Sequence, residues 1–320
     1  MYNPEKPYKD KIIKMIRQTW KSKYININQS LYPLFSKKFS YIEIDHTDGI
    51  GTKGIYHWEK RAFRNAVLDA LAMNLNDLAL ERAKAYKLQC HIIIPEDDVE
   101  AILSIMSNLV KECKKLGIAI TGGETSIQNN INGLDISITV SGFIEDYKKN
   151  KFEIGDSIIG VKSSGLHSNG FTKIREALSK KDIEKHMDEL VLPTRLYYSI
   201  LIDVYKKFNI NGAMHITGGA YTKLKALLPR NADAIINRDH SLKPQKIFAM
   251  LYKKGLTDEE MYKTFNCGIG YIISAKKEEA KKVVNFLRHS GFESDIIGTI
   301  EKGKNNIIIE SMFSNEHVKF

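Results

Sequence analysis

The sequence has little of what marks several protein classes. It contains three cysteines, Cys90, Cys113 and Cys267, which are far apart and form no Cys-x-x-Cys pair, so neither a disulfide framework nor a structural zinc site is expected. No apolar run approaches the length that crosses a bilayer, and residues 1–7 lack the apolar centre of a signal peptide. We therefore expect a cytoplasmic protein with no membrane partner.

The positive charge of the chain is spread rather than concentrated. Lysine and arginine number 48 against 38 aspartates and glutamates, a net charge of +10. The basic residues lie in short patches interleaved with acids, as at 111–115 and 276–279, and no helix-turn-helix, zinc finger or aromatic-basic strand motif is present. This pattern favours solvated helix faces over a nucleic-acid partner, while a basic surface suits phosphorylated small molecules.

Length and patterning indicate two α/β halves. A chain of 320 residues with 43% hydrophobic and 27% charged residues is typical of a globular protein with one large or two ordinary domains. A charged stretch without periodicity, residues 145–151, separates two series of helix-like and strand-like segments. We predict an α/β (α+β) fold with domains at residues 1–148 and 149–320.

The individual elements are predicted from hydrophobic periodicity and turn residues. Helices are predicted at 10–25, 62–84, from 95–98 to 115, from 171, from about 193 to 205, and at 276–289. Strands are predicted at 41–45, 90–94, 118–120, 134–140, 155–161, 213–216 and 267–274. The last strand and the helix after it suggest a βαβ-like tail.

Four segments share one design, in which a strand delivers small and polar residues and the chain then turns. They are residues 47–53, 121–125, 163–170 and 217–219. Glycines at such turns let backbone N–H groups approach an anion, so four in one chain indicate a phosphate-bearing ligand. Asp48 could hold Mg²⁺ on phosphate oxygens and Lys53 could supply charge. Each segment alone is more often an ordinary turn, and the spacing of the common nucleotide loop is missing.

Polar residues inside apolar patterns are further candidates. Asn74, Asn76 and Asp77 interrupt the helix predicted at 62–84. They either bond a neighbouring loop or place Asp77 as a second carboxylate facing Asp48 across a metal, and the helix alone leaves both open.

Two histidines and one cysteine lie close to the predicted turns. By position alone His215, which ends an apolar strand, is a core imidazole, whereas the Thr217-Gly218-Gly219 that follows favours a site. His167 lies within the segment 163–170. Cys267 is expected to be a buried small residue rather than a nucleophile, because no base lies near it in sequence.

Taken in order, these motifs resemble the phosphoribosylformylglycinamidine cyclo-ligase family, the aminoimidazole ribonucleotide synthetases of purine biosynthesis. The matching segments are 47–53, 76–78, 122–125, 163–170, 193–195, 215–219 and 261–270. The likeness extends from about residue 41 to about residue 300. The last three segments are the most specific, because they mark the cyclo-ligases among ATP-using relatives of the same fold.

The resemblance implies an ATP-dependent enzyme of two α/β domains, the first of which binds ATP and forms a homodimer through its sheet. ATP would activate the formyl oxygen of formylglycinamidine ribonucleotide as a phosphate ester, and the amidine nitrogen would then close the imidazole ring. The protein would act by positioning and charge neutralisation, as in other phosphoryl transfers.

The resemblance also assigns roles to individual residues. Asp48 and Asp77 would hold Mg²⁺, and His215, Thr217 and Lys53 would lie near the reacting centre. The nucleotide would contact Gly49, Gly51, Thr52, Lys53, Asn76, Gly122, Gly123, Glu124 and Thr125. Substrate or phosphate would contact Ser164, His167, Ser168, Asn169, Gly218 and Gly219.

The chain departs from the family pattern on the nucleotide side. Residues 31–40, where the family has a glycine-rich lid, contain no glycine, and residues 126–130 replace a Met-Pro-Gly. Arg82-Ala83 and Cys90-His91 stand where the family has a Gly-Ala pair and an acidic position. The departures leave two alternatives: a catalytically impaired or regulatory homologue, or another ATP-dependent enzyme of the fold acting on a different phosphorylated substrate.

Overall fold

The structure of the chain, a computed structural model, describes residues 8–29 and 33–320. It divides the chain into two units. Unit 1 holds the described residues up to Leu78 together with Ala83–Asp146, and unit 2 holds Ala79–Arg82 and Tyr147–Phe320. None of the helices in the described ranges is both long and apolar enough to cross a membrane. Two sequence features fall partly or wholly outside these ranges: the polar start at residues 1–7, and the first two residues of the glycine-free segment 31–40.

Unit 1 is built from four helices and six strands in its described residues. The helices are α1 (Lys9–Ile16), α2 (Gly54–Glu59), α3 (Phe63–Leu78) and α4 (Val99–Leu116). The strands are β1 (Ile25–Gln29), β2 (Pro33–Lys37), β3 (Ile42–Gly49), β4 (Lys84–Ile94), β5 (Ala119–Ile127) and β6 (Asp135–Ile144). Short 3₁₀ helices cover Arg17–Thr19 and Gly51–Lys53.

The main sheet of unit 1 has the strand order β3-β6-β4-β5. Strand β6 is antiparallel to both β3 and β4, whereas β4 and β5 are parallel. A parallel pair needs a crossover, and α4 provides it. Asp98 caps the start of α4 by accepting from the Ala101 N–H at 2.9 Å, and Gly117 ends it in the left-handed region at φ 69°. One face of the sheet packs on α3 and α4, and β1 and β2 form a separate hairpin.

Two predicted boundaries in unit 1 are wrong. The helix predicted at 62–84 ends at Leu78, because the chain tightens into a 3₁₀ turn at Ala79–Glu81 and Arg82 adopts φ 59° before β4 begins. The helix predicted at 10–25 ends at Ile16; the 3₁₀ helix Arg17–Thr19 follows, and Ile25 is already the first residue of β1. Strands β3 and β6 form where alternation predicted them, β4 forms where a short apolar run predicted it, and all three are longer than expected.

Unit 2 contains six α-helices and seven strands. The helices are α5 (Phe171–Ala177), α6 (Lys180–Leu190), α7 (Tyr198–Lys207), α8 (Lys246–Lys253), α9 (Asp258–Thr264) and α10 (Lys277–His289). The strands are β7 (Asp156–Lys162), β8 (Ile210–His215), β9 (Ala232–Ile236), β10 (Ile269–Lys276), β11 (Ser294–Lys302), β12 (Ile307–Glu310) and β13 (His317–Lys319). A seven-residue 3₁₀ helix, Ala220–Ala226, follows β8.

The seven strands form one sheet in the order β13-β12-β9-β11-β7-β10-β8. Strand β7 lies between β10 and β11 and is antiparallel to both. The predicted βαβ-like tail is therefore a split βαβ unit. Helix α10 connects the parallel strands β10 and β11, and β7 lies between these two strands in the sheet. Strands β7, β8 and β10 are buried along nearly their whole length, which explains why they read as continuous apolar runs.

Candidate active site

The end of β3 carries the first group of predicted site residues. In the register Asp48 lies opposite Ile138, which is fully buried, so its side chain belongs to the face covered by α3. Asn74 of α3 donates to the backbone carbonyl of Asp48 at 3.0 Å, and its Oδ1 lies 3.1 Å from Nδ1 of His46. The structure thus shows the loop-bonding role considered for Asn74.

Asp77 lies one turn beyond Asn74 and completes this group. Its Oδ2 is 3.6 Å from Nε2 of His46, and its side chain is partly exposed. Asp48 and Asp77 are therefore linked through His46 and Asn74 on the same side of the sheet. In the described part of the chain no three His, Cys, Asp or Glu side chains converge as metal ligands. Two carboxylates without a third protein ligand fit Mg²⁺, which fills its shell with water and phosphate oxygens.

Lys53, predicted to face a phosphate, points into the interior of unit 1. Its Nζ lies 2.8 Å from Oδ2 of Asp69 on α3, and neither side chain is exposed. Nε2 of His57 on α2 lies 2.6 Å from the same carboxylate oxygen, and His57 is also fully buried. The three side chains therefore join the turn after β3 to α2 and α3. The expectation that Lys53 supplies charge at the ligand does not agree with this placement.

The pKa values within this buried group follow from burial and charge together. Burial raises the pKa of Asp69, but the Lys53 ammonium and the hydrogen bond from His57 outweigh it and hold that pKa well below its usual range. Burial lowers the pKa of His57, and Asp69 offsets this only in part. Nδ1 of His57 is buried and has no hydrogen-bond partner among the described residues. We infer a charged Lys53–Asp69 pair beside a neutral imidazole.

The Gly-Gly-Glu-Thr segment lies within a strand, so the turn predicted at 121–125 is wrong. It is part of β5, where Gly123 pairs with Cys90 of β4 and Glu124 with His91. Gly123 adopts φ 154°, and a Cβ there would collide with the Cys90 carbonyl oxygen. Glycine is required at this position to bring the two strands together rather than to turn the chain.

A cavity of about 300 Å³ lies between α1 and this part of the sheet. Its walls include Ile12 and Ile16 of α1, and the predicted nucleotide residues Gly122, Gly123, Glu124 and Thr125. Of the predicted nucleotide contacts, those near β3 are not part of this cavity. The structure therefore divides the predicted nucleotide residues of unit 1 into two groups.

The register of the sheet gives the separation between these two groups of residues. Gly49, Ser137, His91 and Glu124 lie in one row across β3, β6, β4 and β5. Three strand spacings of ~4.8 Å separate the outer members by about 14 Å. The group at the end of β3 and the group in β5 lie at the same height along the strands but at opposite edges of the sheet. Within one chain they therefore do not meet around a single phosphate.

In unit 2 the segment 163–170 does form the predicted loop between β7 and α5. His167 adopts φ 60°, is fully buried, and accepts from the Ser164 N–H at 3.3 Å. The Ser168 hydroxyl lies 3.0 Å from the Thr194 hydroxyl. A bulky residue with positive φ is strained, and such strain is concentrated at functional sites.

The loop before β10 holds the 163–170 loop in place. Asn266 donates to the Gly165 carbonyl at 2.8 Å, and its own carbonyl accepts from the Tyr221 hydroxyl at 2.9 Å. A side chain on Gly270 would collide with Tyr197 and His167. Three sequence-distant segments, 163–170, 215–221 and 265–270, therefore form one interlocked cluster.

His215 and Thr217 lie at the exit of β8 within this cluster. The His215 ring is fully buried, stacks on Tyr271 with centroids 5.8 Å apart, and lies 6.2 Å from the ring of His167. Thr217 Oγ1 accepts a hydrogen bond from Lys223 at 2.8 Å, and the chain then turns at Gly218 and Gly219. His215 is thus a packed core imidazole that also borders the loop cluster.

Cys267 is buried as expected, with 2% exposure, and burial raises the pKa of its thiol. It adopts φ 47° next to Gly268. An uncharged thiol in this position has no role as a nucleophile.

Two family models match the chain. The model for the N-terminal domain of AIR synthase related proteins matches residues 44–144, and the model for the C-terminal domain matches residues 153–310. The chain belongs to the AIR synthase related family. The family resemblance expected from the motifs is confirmed.

Two sequence relatives of the chain carry the same enzyme name. The chain is 33% identical over 275 residues to the phosphoribosylformylglycinamidine cyclo-ligase of Saccharolobus solfataricus, covering 85% of this chain and 82% of the relative. It is 34% identical over 271 residues to the enzyme of the same name from Methanococcus maripaludis, covering 80% of this chain and 76% of the relative.

A solved structure of the hydrogenase maturation protein HypE in complex with ATP is similar in fold. The TM-score is 0.67 at 14% identity, with 99% of this chain and 95% of that chain covered. Together with the two family models, this confirms the predicted mixed α/β fold of the AIR synthetase type.

Sequence reasoning missed three residues of this AIR synthase related chain. Asp69 pairs with Lys53 and also contacts His57, and Lys223 donates to Thr217. Asp69 could have been noticed, because it interrupts the apolar pattern of α3 as Asn74 does. Lys223 stands among other lysines and gave no signal in the sequence.

Proposed function

We propose that the chain is a phosphoribosylformylglycinamidine cyclo-ligase, which closes the imidazole ring of formylglycinamidine ribonucleotide to give aminoimidazole ribonucleotide in purine biosynthesis. The observation that carries the proposal is the interlocked cluster of segments 163–170, 215–221 and 265–270. Two of the segments overlap 215–219 and 261–270, which are among the motifs most specific to the cyclo-ligases, and relatives with that name are more than 30% identical over most of their length.

Unit 1 is proposed to bind the nucleotide. ATP, when bound, supplies the phosphoryl group that converts the formyl oxygen into a leaving group. Asp48 and Asp77 would hold Mg²⁺ against its phosphates, because two carboxylates beside an anion need a cation between them. Lys53 would act indirectly, since its pairing with Asp69 fixes the turn that presents Asp48.

Unit 2 is proposed to hold the ribonucleotide. Ring closure forms a bond between the amidine nitrogen and the formyl carbon, and the formyl oxygen leaves as phosphate. The nitrogen loses a proton to complete the ring. Thr217 and His215 border the loop cluster where we place the reacting group, and the 163–170 loop supplies amides and hydroxyls for a phosphate. The protein provides no nucleophile.

We further propose that the enzyme works in the cytoplasm and that its ATP and Mg²⁺ requirements are those of a cyclo-ligase. The three cysteines Cys90, Cys113 and Cys267 are all free thiols and buried, which suits a reducing compartment.

The test is an assay of the purified chain with formylglycinamidine ribonucleotide, ATP and Mg²⁺. ADP is followed by a coupled assay and aminoimidazole ribonucleotide by mass spectrometry, and equal yields of the two are expected. ADP release without the imidazole product would indicate a different ATP-dependent enzyme of the fold. Absence of both products from a folded protein would indicate an impaired or regulatory homologue.

A matched pair of variants links the assay to the loop cluster. His215→Phe keeps a ring that can stack on Tyr271, so the fold should persist while ring closure is lost. His289→Phe changes an exposed histidine at the end of α10 and should leave activity unaltered.

A further inference from the structure

Lys223 lies over the turn that follows β8. Its Cγ and Cδ lie 3.4 and 3.7 Å from the position that a Cβ on Gly219 would take, so the stem crosses the glycine. Its ammonium donates to Thr217 Oγ1 at 2.8 Å. Within the described ranges no carboxylate pairs with this ammonium. A positive charge is thereby held at the glycine turn without a protein counter-charge.

A second polar group faces the same turn. Oδ1 of Asn169 lies 3.6 Å from the position of a Cβ on Gly218, which places the amide beside the turn. Nδ2 of Asn169 is buried and has no hydrogen-bond partner in the described part of the chain. A buried N–H group without an acceptor is destabilising, so it indicates that a ligand supplies the acceptor.

The bond from Lys223 also orients the Thr217 hydroxyl. Because that oxygen accepts from the ammonium, its own proton is free to donate elsewhere. Lys223 and Thr217 therefore present two donors at Gly218 and Gly219. Asn169 places its Oδ1 beside the turn, and the Nδ2–H group of the same amide has no acceptor in the described part of the chain. Donors around a glycine turn, one of them charged, match the oxygens of a phosphoryl group.

We propose that Lys223 is a phosphate-binding residue, and that with Asn169 and Thr217 it holds one phosphoryl group at the 217–219 turn. The inference deepens the proposed function, since both the ribonucleotide and ATP carry such a group. Lys223 would give the phosphoryl group a charged contact. Without it, Thr217, Gly218, Gly219 and Asn169 offer only neutral groups.

Lys225 provides the matched control. It lies two residues further along the same 3₁₀ helix and is exposed to solvent. Lys223→Met and Lys225→Met remove the same charge from the same helix, so they change net charge equally. Lys223→Arg retains a cation at the turn.

The first experiment measures binding of inorganic phosphate by thermal protection at constant ionic strength. Lys223→Met should weaken phosphate binding about tenfold, the loss expected for one charge-assisted hydrogen bond. The phosphate affinities of Lys223→Arg and Lys225→Met should both stay close to that of wild type. Equal phosphate protection in wild type and Lys223→Met would overturn the proposal, as would absence of protection in wild type. This measurement does not depend on ring-closing activity, so it stands even where the proposed function fails.

The second experiment identifies the source of the phosphoryl group. KM is measured separately for the ribonucleotide and for ATP in wild type, Lys223→Met and Lys225→Met. A rise confined to the ribonucleotide assigns the turn to the substrate phosphate, and a rise confined to ATP assigns it to the nucleotide. Unchanged KM for both, with unchanged kcat, would refute the assignment of Lys223.

Discussion

Lys53 and Asp69 form an ion pair, with Nζ 2.8 Å from Oδ2, at a place where neither side chain is exposed. Removal of one member leaves an uncompensated buried charge, which costs about 3–5 kcal/mol. Asp69→Asn should therefore lower the free energy of unfolding by an amount in that range, measured by urea denaturation at pH 7. Asp203→Asn breaks an exposed pair with Lys206 and should change it by less than about 1 kcal/mol. Equal effects of the two variants would show that the buried pair has no special role.

His57 should make the stability of unit 1 depend on pH. Burial lowers its folded-state pKa below the ordinary value of 6.5, so below pH 6.5 the unfolded chain binds more protons and stability falls on acidification. Asp69 has a lowered folded-state pKa, so its contribution is present above 3.8 and is lost only as the pH falls further. A loss of stability between pH 7.5 and 5.5 is thus expected from His57 and not from Asp69.

His57→Gln tests this assignment, because glutamine can still donate to Asp69 but does not titrate. Urea denaturation at pH 7.5 and 5.5 should show a smaller difference for His57→Gln than for wild type. His289→Gln, an exposed change, should keep the wild-type difference. Buried His240 also has a lowered pKa and contributes equally to all three proteins, so the comparison isolates His57. An unchanged slope in His57→Gln would contradict the assignment.

Asp48 and Asp77 should make nucleotide binding depend on Mg²⁺. Without the cation the two carboxylates repel a polyphosphate. Asp48→Asn should therefore weaken ATP binding when Mg²⁺ is present, and should not weaken it when Mg²⁺ is chelated, because one repelling charge is then gone. Calorimetry with and without Mg²⁺ measures both affinities. Asp146→Asn, at an exposed residue after β6, is the control. Identical ATP affinity with and without metal in wild type would remove this metal site.

The face of the unit 1 sheet opposite α3 and α4 is the expected dimer contact. Thr47, Thr139 and Gln89 lie in one row on this face, and Thr47 and Gln89 are exposed. A chain of 36.5 kDa should therefore sediment at twice that mass at micromolar concentration. Gln89→Arg places two like charges across the contact and should shift the protein toward monomer, whereas Ser107→Arg on α4 should not. Monomeric wild type would refute the dimer.

Sequence patterning predicted most helices and strands because periodicity reports burial, and burial decides which face of an element packs. It failed at residues 121–125, where two adjacent glycines predict a turn. The structure uses Gly123 instead to bring β5 against Cys90, a requirement set by a strand that lies about thirty positions earlier in the chain. Contacts of this kind depend on tertiary pairing, which local sequence does not contain.

The same limit applied to the candidate site. Lys53 beside two glycines has the chemistry of a phosphate contact, and its actual partner Asp69 lies on a helix sixteen positions away. The loop at 163–170 was easier to predict, because a strained residue such as His167 is held within its own loop, where it accepts from the Ser164 N–H. A loop whose shape is set by its own backbone could be predicted, whereas the partner of a side chain on another element could not.

A negative charge introduced into the 163–170 loop tests whether this loop belongs to the active site. The Ser168 hydroxyl lies 3.0 Å from that of Thr194, and the loop amides around it are expected to meet an anion of substrate or nucleotide. Ser168→Asp should abolish ring closure, because a carboxylate there repels the phosphate. Thr172→Asp places the same charge on an exposed position four residues later and should leave turnover intact. Both proteins should unfold at similar temperatures, since Ser168 is only half-buried. Wild-type turnover in folded Ser168→Asp would remove this loop from the active site.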